Sequence, residues 1–253
     1  MIEKFLKNRF LFNTNSNLLK KIYMKIHLKL KNQKFQKTYS KNTVDLLINY
    51  LFRNNDKGIY IDVGCAHPIE DNNTYILHKK GWSGINIDLD SYNIDLFNSL
   101  RPMDYNKNIA ISDKAGDVDL YFYHHKSKIN TIEKNVHQSR SEKIEKVIKI
   151  KADTLNNIIE NSPFKGKKIN YLTIDVEGHE MKVLQGFDII KYNPDIVVVE
   201  FLDLKLKKLE FHEQNINTIL NSNLYKFMLS KKYHFVNWMH SDLIFVSDSI
   251  RTK

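Results

Sequence analysis

The sequence predicts an α/β fold: a mostly parallel sheet with helices on both faces and an antiparallel C-terminal hairpin. Three observations lead there. First, short and nearly continuous apolar runs, GIYIDV (58–63), NYLTIDV (170–176) and DIVVVEF (195–201), alternate with helical patterns. Strands buried on both faces read this way, whereas half-exposed strands alternate in polarity. Second, each of those runs carries an acid one residue before its end: Asp62, Asp175 and Glu200. Third, KYHFVNW (232–238) and DLIFVSD (242–248) flank a tight turn near His240-Ser241, the pattern of a hairpin.

The elements follow in chain order. Residues 1–40 hold ten Lys/Arg against Glu3 alone, so nearly all of the net charge of +10 sits there and the rest is close to neutral. Within this basic extension, NLLKKIYMKIHLKLK (17–31) sets Leu18, Leu19, Ile22 and Ile26 at helical spacing, with Lys20, Lys21, Lys25 and Lys29 largely elsewhere. It predicts an amphipathic helix that either docks on its own body or makes a peripheral membrane or partner contact. TVDLLINYLF (43–52) is a helix leading into the domain proper, placed at 41–253. The strand 58–63 follows, then a short helix at 72–80 stopped by Gly81, a strand GINIDL (84–89), and a helix SYNIDLFNSL (91–100) capped by Ser91. Residues 107–113 read as a third strand, and DVDLYFY (117–123) as a half-exposed one. The polar stretch 124–143 breaks the pattern, and 124–145 is expected as a loop or acceptor lid. A strand at 146–152, a helix at 152–160 capped by Asp153 or Thr154, the strand 170–176 and a helix at 179–187 come next. The strand 195–201, a helical stretch at 204–223 and the closing pair complete the chain.

The 253 residues, 42% hydrophobic, suit one domain with a full-sized core plus an extension. No apolar run reaches the length of a membrane span, and MIEKFLKNRFLF lacks a secretory apolar core, so a cytoplasmic protein is expected. Cys65 is the sole cysteine, which excludes an internal disulfide.

The acids at the strand ends carry the functional reading. Sheets of this kind bind ligands beyond the carboxyl ends of their strands, where the strand order reverses. Asp62, Asp88, Ser112-Asp113, Asp175 and Glu200 gather at that edge. Gly64 follows Asp62 in a turn without a Cβ in the way. Asp88 stands 24 residues after Gly64, a place from which a carboxylate holds ribose hydroxyls. The turn reads G-C-A-H-P rather than G-x-G-x-x-G, which disfavours a dinucleotide. A cofactor with a ribose and no phosphate, S-adenosylmethionine (SAM), fits better.

Taken in order, GIYIDVGCAHP, NNTYILHKKGWSGINIDLD, NIAISD, ADTLNNII, LTIDVEGHEMKVLQGF and PDIVVVEF resemble the FkbM-type methyltransferases. The resemblance runs over roughly residues 40–248, and IDVEGHE followed by VLQGF is its most specific part. It implies a class I SAM-dependent methyltransferase fold, with methyl transfer to a hydroxyl on a sugar, polysaccharide precursor or secondary metabolite. The cofactor set it implies is Asp62, Gly64, Cys65, Ala66, Asn73, Thr74, Asp88, Leu89, Ser112, Asp113 and Asp175. The D-x-E-G-x-E segment supplies the catalytic candidates Asp175, Glu177, His179 and Glu180. Ala66 and Pro68 stand where many relatives have Asn and Gly, and Leu89 replaces a common proline.

Methyl transfer to oxygen needs a group to accept the hydroxyl proton. Glu177 or His179 is expected in that role, with Asp175 orienting cofactor or acceptor. His179 has a plainer alternative as a solvent-facing residue in a helix's first turn. Asp175, Glu177, His179 and Glu200 offer oxygen and nitrogen ligands to a divalent ion, but HEMKV is not H-E-x-x-H, so a metal is not favoured. Nucleic acid is disfavoured as acceptor. The four prolines never pair into a D-P-P-Y-like segment, Cys65 lies in the cofactor turn, and the body is near neutral. A non-catalytic SAM- or sugar-binding protein anchored by its basic tail is the alternative of a different class.

Overall fold

In the computed structural model, which describes residues 2–13, 15–30, 37–201 and 215–251, the predicted apolar runs form strands. Among the described residues the strands are β1 (Ile59–Val63), β2 (Ser83–Asp88), β3 (Tyr105–Asn108), β4 (Ala110–Ile111), β5 (Gly116–Phe122), β6 (Lys146–Asp153), β7 (Tyr171–Ile174), β8 (Ile196–Glu200), β9 (Tyr233–Met239) and β10 (Asp242–Ser247). Seven of them make one sheet in the order β3-β2-β1-β7-β8-β10-β9. The first five of that order are parallel neighbours, and β10 runs antiparallel to both β8 and β9. The expected closing hairpin is therefore present, with β10 inserted beside β8 and β9 at the edge.

The central strands are buried on both faces, as their continuous apolar runs require. Ile61, Val63, Val197 and Val199 pack with helices Leu155–Glu160, Glu180–Gln185 and Asn223–Ser230. Tyr60, Tyr171, Ile196 and Val198 pack on the other side with Val44 and Ile48 of helix Val44–Leu51, and with Leu77 and Trp82. Each such side chain contributes about 1.5–3 kcal/mol of burial. With both faces apolar, polarity alone does not set the strand register. A shape match does so at β1: Tyr60 lies opposite Gly84, where a Cβ would come within 2.4 Å of the Tyr60 ring.

One predicted strand divides. Residues 107–113 leave the main sheet at Ile109, whose N–H donates to the Asp88 carbonyl at 3.2 Å. β3 ends before it, and β4 joins a second, three-stranded sheet of order β4-β6-β5. The alternating acids of 117–123 find their partners there: Asp117 and Asp119 pair with Lys151 and Lys149 across β5 and β6. The helix at 91–100 forms as expected, but its N-cap is Asp90, whose carboxylate accepts from the Tyr92 N–H at 3.0 Å. Thr154 caps 155–160 through the Asn157 N–H. Of the predicted helix at 204–223, residues 204–214 lie outside the described residues, and Ile216–Asn221 and Asn223–Ser230 are helical with Ser222 between them.

Contacts divide the chain into two units, Met1–Lys37 and Thr38–Lys253. In the first, the basic stretch forms the helix Asn17–Leu30, after a helix Ile2–Lys7 that continues into a π-helical segment Asn8–Phe12. No described helix is long and apolar enough to cross a membrane.

The sheet order reverses between β1 and β7, since the chain winds outward from β1 through β2 and β3, and the other way from β7 to β8. Ligand crevices open at such a point. Here the two strand ends are joined by backbone. The Asp175 N–H donates to the Val63 carbonyl at 2.9 Å, and the Gly64 N–H turns to the Ile87 carbonyl at 2.8 Å. Gly64 adopts φ +81°, and a Cβ there would lie 1.7 Å from the Asp175 carbonyl oxygen. Its glycine character therefore serves contact between the two walls of the crevice. The substitution Gly64→Ala is expected to destabilise the protein by about 2 kcal/mol or more, from left-handed strain plus overpacking. A thermal melt beside the unaltered protein measures it.

Candidate functional site

A crevice of about 290 Å³ opens over the carboxyl ends of β1, β2, β7 and β8. Gly64, Ala66 and Asn73 from the first loop, Asp88 and Leu89 from the end of β2, and Asp175, Glu177 and Glu200 line it.

Several predicted cofactor residues lie behind this lining. Asp62 is buried, and its Oδ2 accepts from Asn72 Nδ2 at 3.1 Å and Thr74 Oγ1 at 2.9 Å. Burial pushes its carboxyl up to about 6, and the nearby Arg101 guanidinium opposes that rise. Arg101 is itself buried. It donates to Thr74 Oγ1 and Asn72 Oδ1, both at 2.9 Å, and to the Pro68 carbonyl. Asp62, Asn72, Thr74 and Arg101 thus form one charged network that holds the first loop from beneath. Cys65 packs with Ile94 and Phe97 under the same loop, and burial raises its thiol well above the usual range. Asp62, Cys65 and Thr74 shape the loop instead of facing the ligand space. Sequence reasoning missed Arg101; nothing in its local spacing marks a buried cation.

Asp88 does face the crevice. Its Oδ2 accepts from the Ala66 N–H at 2.8 Å, and its Oδ1 from the Asp90 N–H at 2.8 Å and Asn93 Nδ2 at 3.1 Å. Burial raises its pKa, and these N–H donors counter the rise. Oδ1 thus has both its acceptor sites filled, and Oδ2 keeps capacity for one further donor. Leu89, Ile109 and Ile111 form an apolar wall beside it. Ser112 and Asp113 lie outside the lining: Ser112 is buried against Gly186, where a Cβ would come within 2.3 Å of the Ser112 carbonyl.

The three acids and the histidine of the DVEGHE segment diverge. Glu180 folds back, and its Oε1 accepts from the N–H groups of Val176 and Gly178, both at 3.0 Å. It stitches the loop in which Glu177 (φ +56°) and Gly178 (φ +101°) take left-handed conformations. His179 lines the crevice but is not solvent-facing, and both its ring nitrogens are engaged. It is 4% exposed, with Nδ1 2.5 Å from Glu133 and Nε2 3.0 Å from Ser112 Oγ. Burial lowers its pKa, against the pull of Glu133. The neutral ring that donates through Nδ1 to Glu133 accepts at Nε2. The Ser112 hydroxyl, with one proton, is then shared between His179 and Asp113 Oδ1 at 2.9 Å.

Glu177 pairs with Arg140. Asp175 opens onto the crevice, yet protein crowds round it, and burial followed by the nearby Asp242 charge raises its pKa. Glu177 is raised by burial and by Asp175, with Arg140 opposing. Glu200 is raised well above the carboxylate range by burial and by Asp175. The ligating oxygens of Asp175, Glu177 and Glu200 lie within 4.8 Å of one another.

Two segments close round this centre. The polar stretch after β5 is a strap across the mouth. At one end His125 Nδ1 meets Asp90 Oδ1 at 2.7 Å and the Lys126 N–H donates to Asp90 Oδ2 at 2.9 Å. At the other, Thr131 Oγ1 donates to the Glu177 carbonyl at 2.9 Å, and Glu133 and Arg140 hold His179 and Glu177. The second segment, 38–43, brings Ser40, Lys41 and Asn42 to the crevice. It is tied down by Asp45, which accepts from Thr38 Oγ1 and the Tyr39 N–H, both at 2.7 Å. Sequence reasoning did not find this wall; its one local signal is Ser40, which accepts from the Val44 N–H at the helix start.

The family model for the methyltransferase FkbM domain matches residues 62–227. No curated protein matches the chain. The crystal structure of methyltransferase FkbM from Methylobacillus flagellatus KT is similar at 14% identity and a TM-score of 0.47, over 96% of this chain and 57% of that one. That of monomeric WbdD is similar at 13% identity and a TM-score of 0.38, over 88% and 44%. The chain thus spans about half the length of these structures.

The Arg101 network yields a test of what supports the crevice. Arg101→Leu leaves Asp62 as an uncompensated buried charge, and a loss of about 3–5 kcal/mol is expected. Chemical denaturation measures it.

Proposed function

The chain belongs to the FkbM methyltransferase family, and on that premise we propose that it transfers a methyl group from SAM to a hydroxyl of a sugar or a related small acceptor. One observation carries the reading: Asp88 and Asp175 face a single crevice from opposite sides of the sheet's switch point.

The lining suits this cofactor. Asp88 Oδ2 accepts from a ribose hydroxyl, Leu89, Ile109 and Ile111 offer an apolar surface to the adenine, and the acids beyond Gly64 complement a sulfonium and an ammonium. When bound, SAM supplies a methyl carbon already activated for in-line displacement.

The protein then has to position a hydroxyl and remove its proton. Asp175 takes that role, since it opens onto the crevice while His179 has both nitrogens engaged and Glu180 is turned into the loop. Glu177, fixed by Arg140, orients the acceptor. Glu133 and His179 are positioning residues that hold strap and loop together. The strap also limits water at the reacting centre. An acceptor side lined by Asp175, Glu177, Glu200 and Asp242 repels phosphates, which favours a sugar hydroxyl over nucleic acid.

Two substitutions separate binding from chemistry. Asp88→Asn is expected to weaken SAM binding about ten- to a hundredfold by calorimetry, the loss of a hydrogen bond to a charged group. Asp175→Asn is expected to lower kcat by about 10²–10⁴ while SAM affinity holds. Formation of S-adenosylhomocysteine with a panel of saccharide and small hydroxylated acceptors provides the readout. SAM binding without turnover on any acceptor would favour the non-catalytic alternative.

A further inference from the structure

We propose that Asp175, Glu177 and Glu200 form a binding site for one hard divalent cation, of the Mg²⁺, Mn²⁺ or Ca²⁺ class, at the floor of the crevice. Three independent features point there.

The first is convergence. The three carboxylates come from the end of β7, the loop after it and the end of β8, and their ligating oxygens lie within 4.8 Å of one another. Nothing in local sequence requires that Glu200 meet the other two; the β7–β8 pairing brings it there.

The second is an orphaned atom. Glu200 is 9% exposed, lines the crevice, and its Oε2 is buried without a hydrogen-bond partner. A buried polar atom left this way calls for a ligand or an explanation. A cation on the crevice side supplies one.

The third is charge. Asp242, itself buried and opposite Glu200 in the β8–β10 register, adds a fourth acid to the cluster. The cations nearest these four are Lys41, which is exposed, and Arg140, already bound to Glu177; Lys128 and His240 also border the crevice, Lys128 paired with Asp71. Four acids against Lys41 and Arg140 leave the cluster short of positive charge, which a divalent ion supplies.

The donor set decides which ion. All three ligands are carboxylate oxygens, the preference of hard cations. His179 has both ring nitrogens engaged by Ser112 and Glu133, and Cys65 is buried under the first loop, so neither softens the site. The sequence-level objection to a metal concerned zinc-type spacing, and it does not apply to an oxygen-only site.

The ion's role rests on the methyl-transfer reading; its binding does not. In that reading the acceptor oxygen binds the cation, which makes its hydroxyl more acidic. The oxygen forms a bond to the methyl carbon, the carbon–sulfur bond breaks with its electron pair going to sulfur, and the proton passes to Asp175.

The test uses the full chain, stripped of metal by chelation, titrated with Mn²⁺ alone and followed by the electron paramagnetic resonance signal of free Mn²⁺. One equivalent is expected to bind, to be displaced by excess Mg²⁺ or Ca²⁺, and to bind at least tenfold more weakly to Glu200→Gln. Glu177→Gln gives the same readout should Glu200→Gln fail to fold, and circular dichroism checks both. Absence of stoichiometric Mn²⁺ binding, or binding unchanged in the folded variants, would overturn the site. So would capture of an amine such as glucosamine with no competition from Mn²⁺, which would make the cluster an ammonium pocket. No SAM or acceptor is present, so failure here stays distinct from failure of methyl transfer, which SAM calorimetry reads separately.

Discussion

The functional architecture depends on the parallel pairing of β1 with β7 and the backbone contact just beyond it. Asp62 pairs with Thr173 and Val63 with Ile174, after which the chains part: Gly64 leans toward β2 and Asp175 stays against Gly64. A side chain at position 64 would occupy the space of the Asp175 carbonyl. The crevice exists because two strand ends diverge there, and its depth is set by how closely their backbones touch before they do.

Below that contact lies a cost. Asp62 and Arg101 are both buried, as are the Asn72 and Thr74 side chains that share their hydrogen bonds. Taking such charges out of water is expensive, and pairing compensates only when the remaining donors and acceptors are satisfied. The network does satisfy Asp62, but it leaves the Arg101 Nε without a partner. The first loop is thereby held rigid from beneath, so that Gly64, Ala66 and Asn73 meet the ligand space with a fixed backbone.

Above the contact, the electrostatics have the opposite character. Asp175, Glu177, Glu200 and Asp242 crowd together with few cations, and burial raises the pKa of each. A site under this strain favours a positively charged guest. The strap reinforces the geometry: Arg140, Glu133 and Thr131 grip the loop that carries Glu177 and His179, while His125 and Lys126 grip the Asp90 cap at the end of β2. Both sides of the crevice are thus tied to one segment.

By itself the sequence determined the α/β class, most element positions, the acids at the strand ends and the family. These are legible because strands buried on both faces leave continuous apolar runs, and because D-V-G and D-V-E-G-H-E are compact motifs. Only the tertiary structure decided the direction in which each motif residue points. In D-V-E-G-H-E, left-handed backbone at Glu177 and Gly178 sends neighbours to different places: Asp175 into the crevice, Glu180 back into the loop, His179 to Ser112 and Glu133. The buried role of Arg101, the wall formed by 38–43 and the meeting of Glu200 with Asp175 and Glu177 arise from contacts distant in sequence. No local periodicity records such contacts, because sheet pairing and loop packing, not spacing along the chain, bring those atoms together.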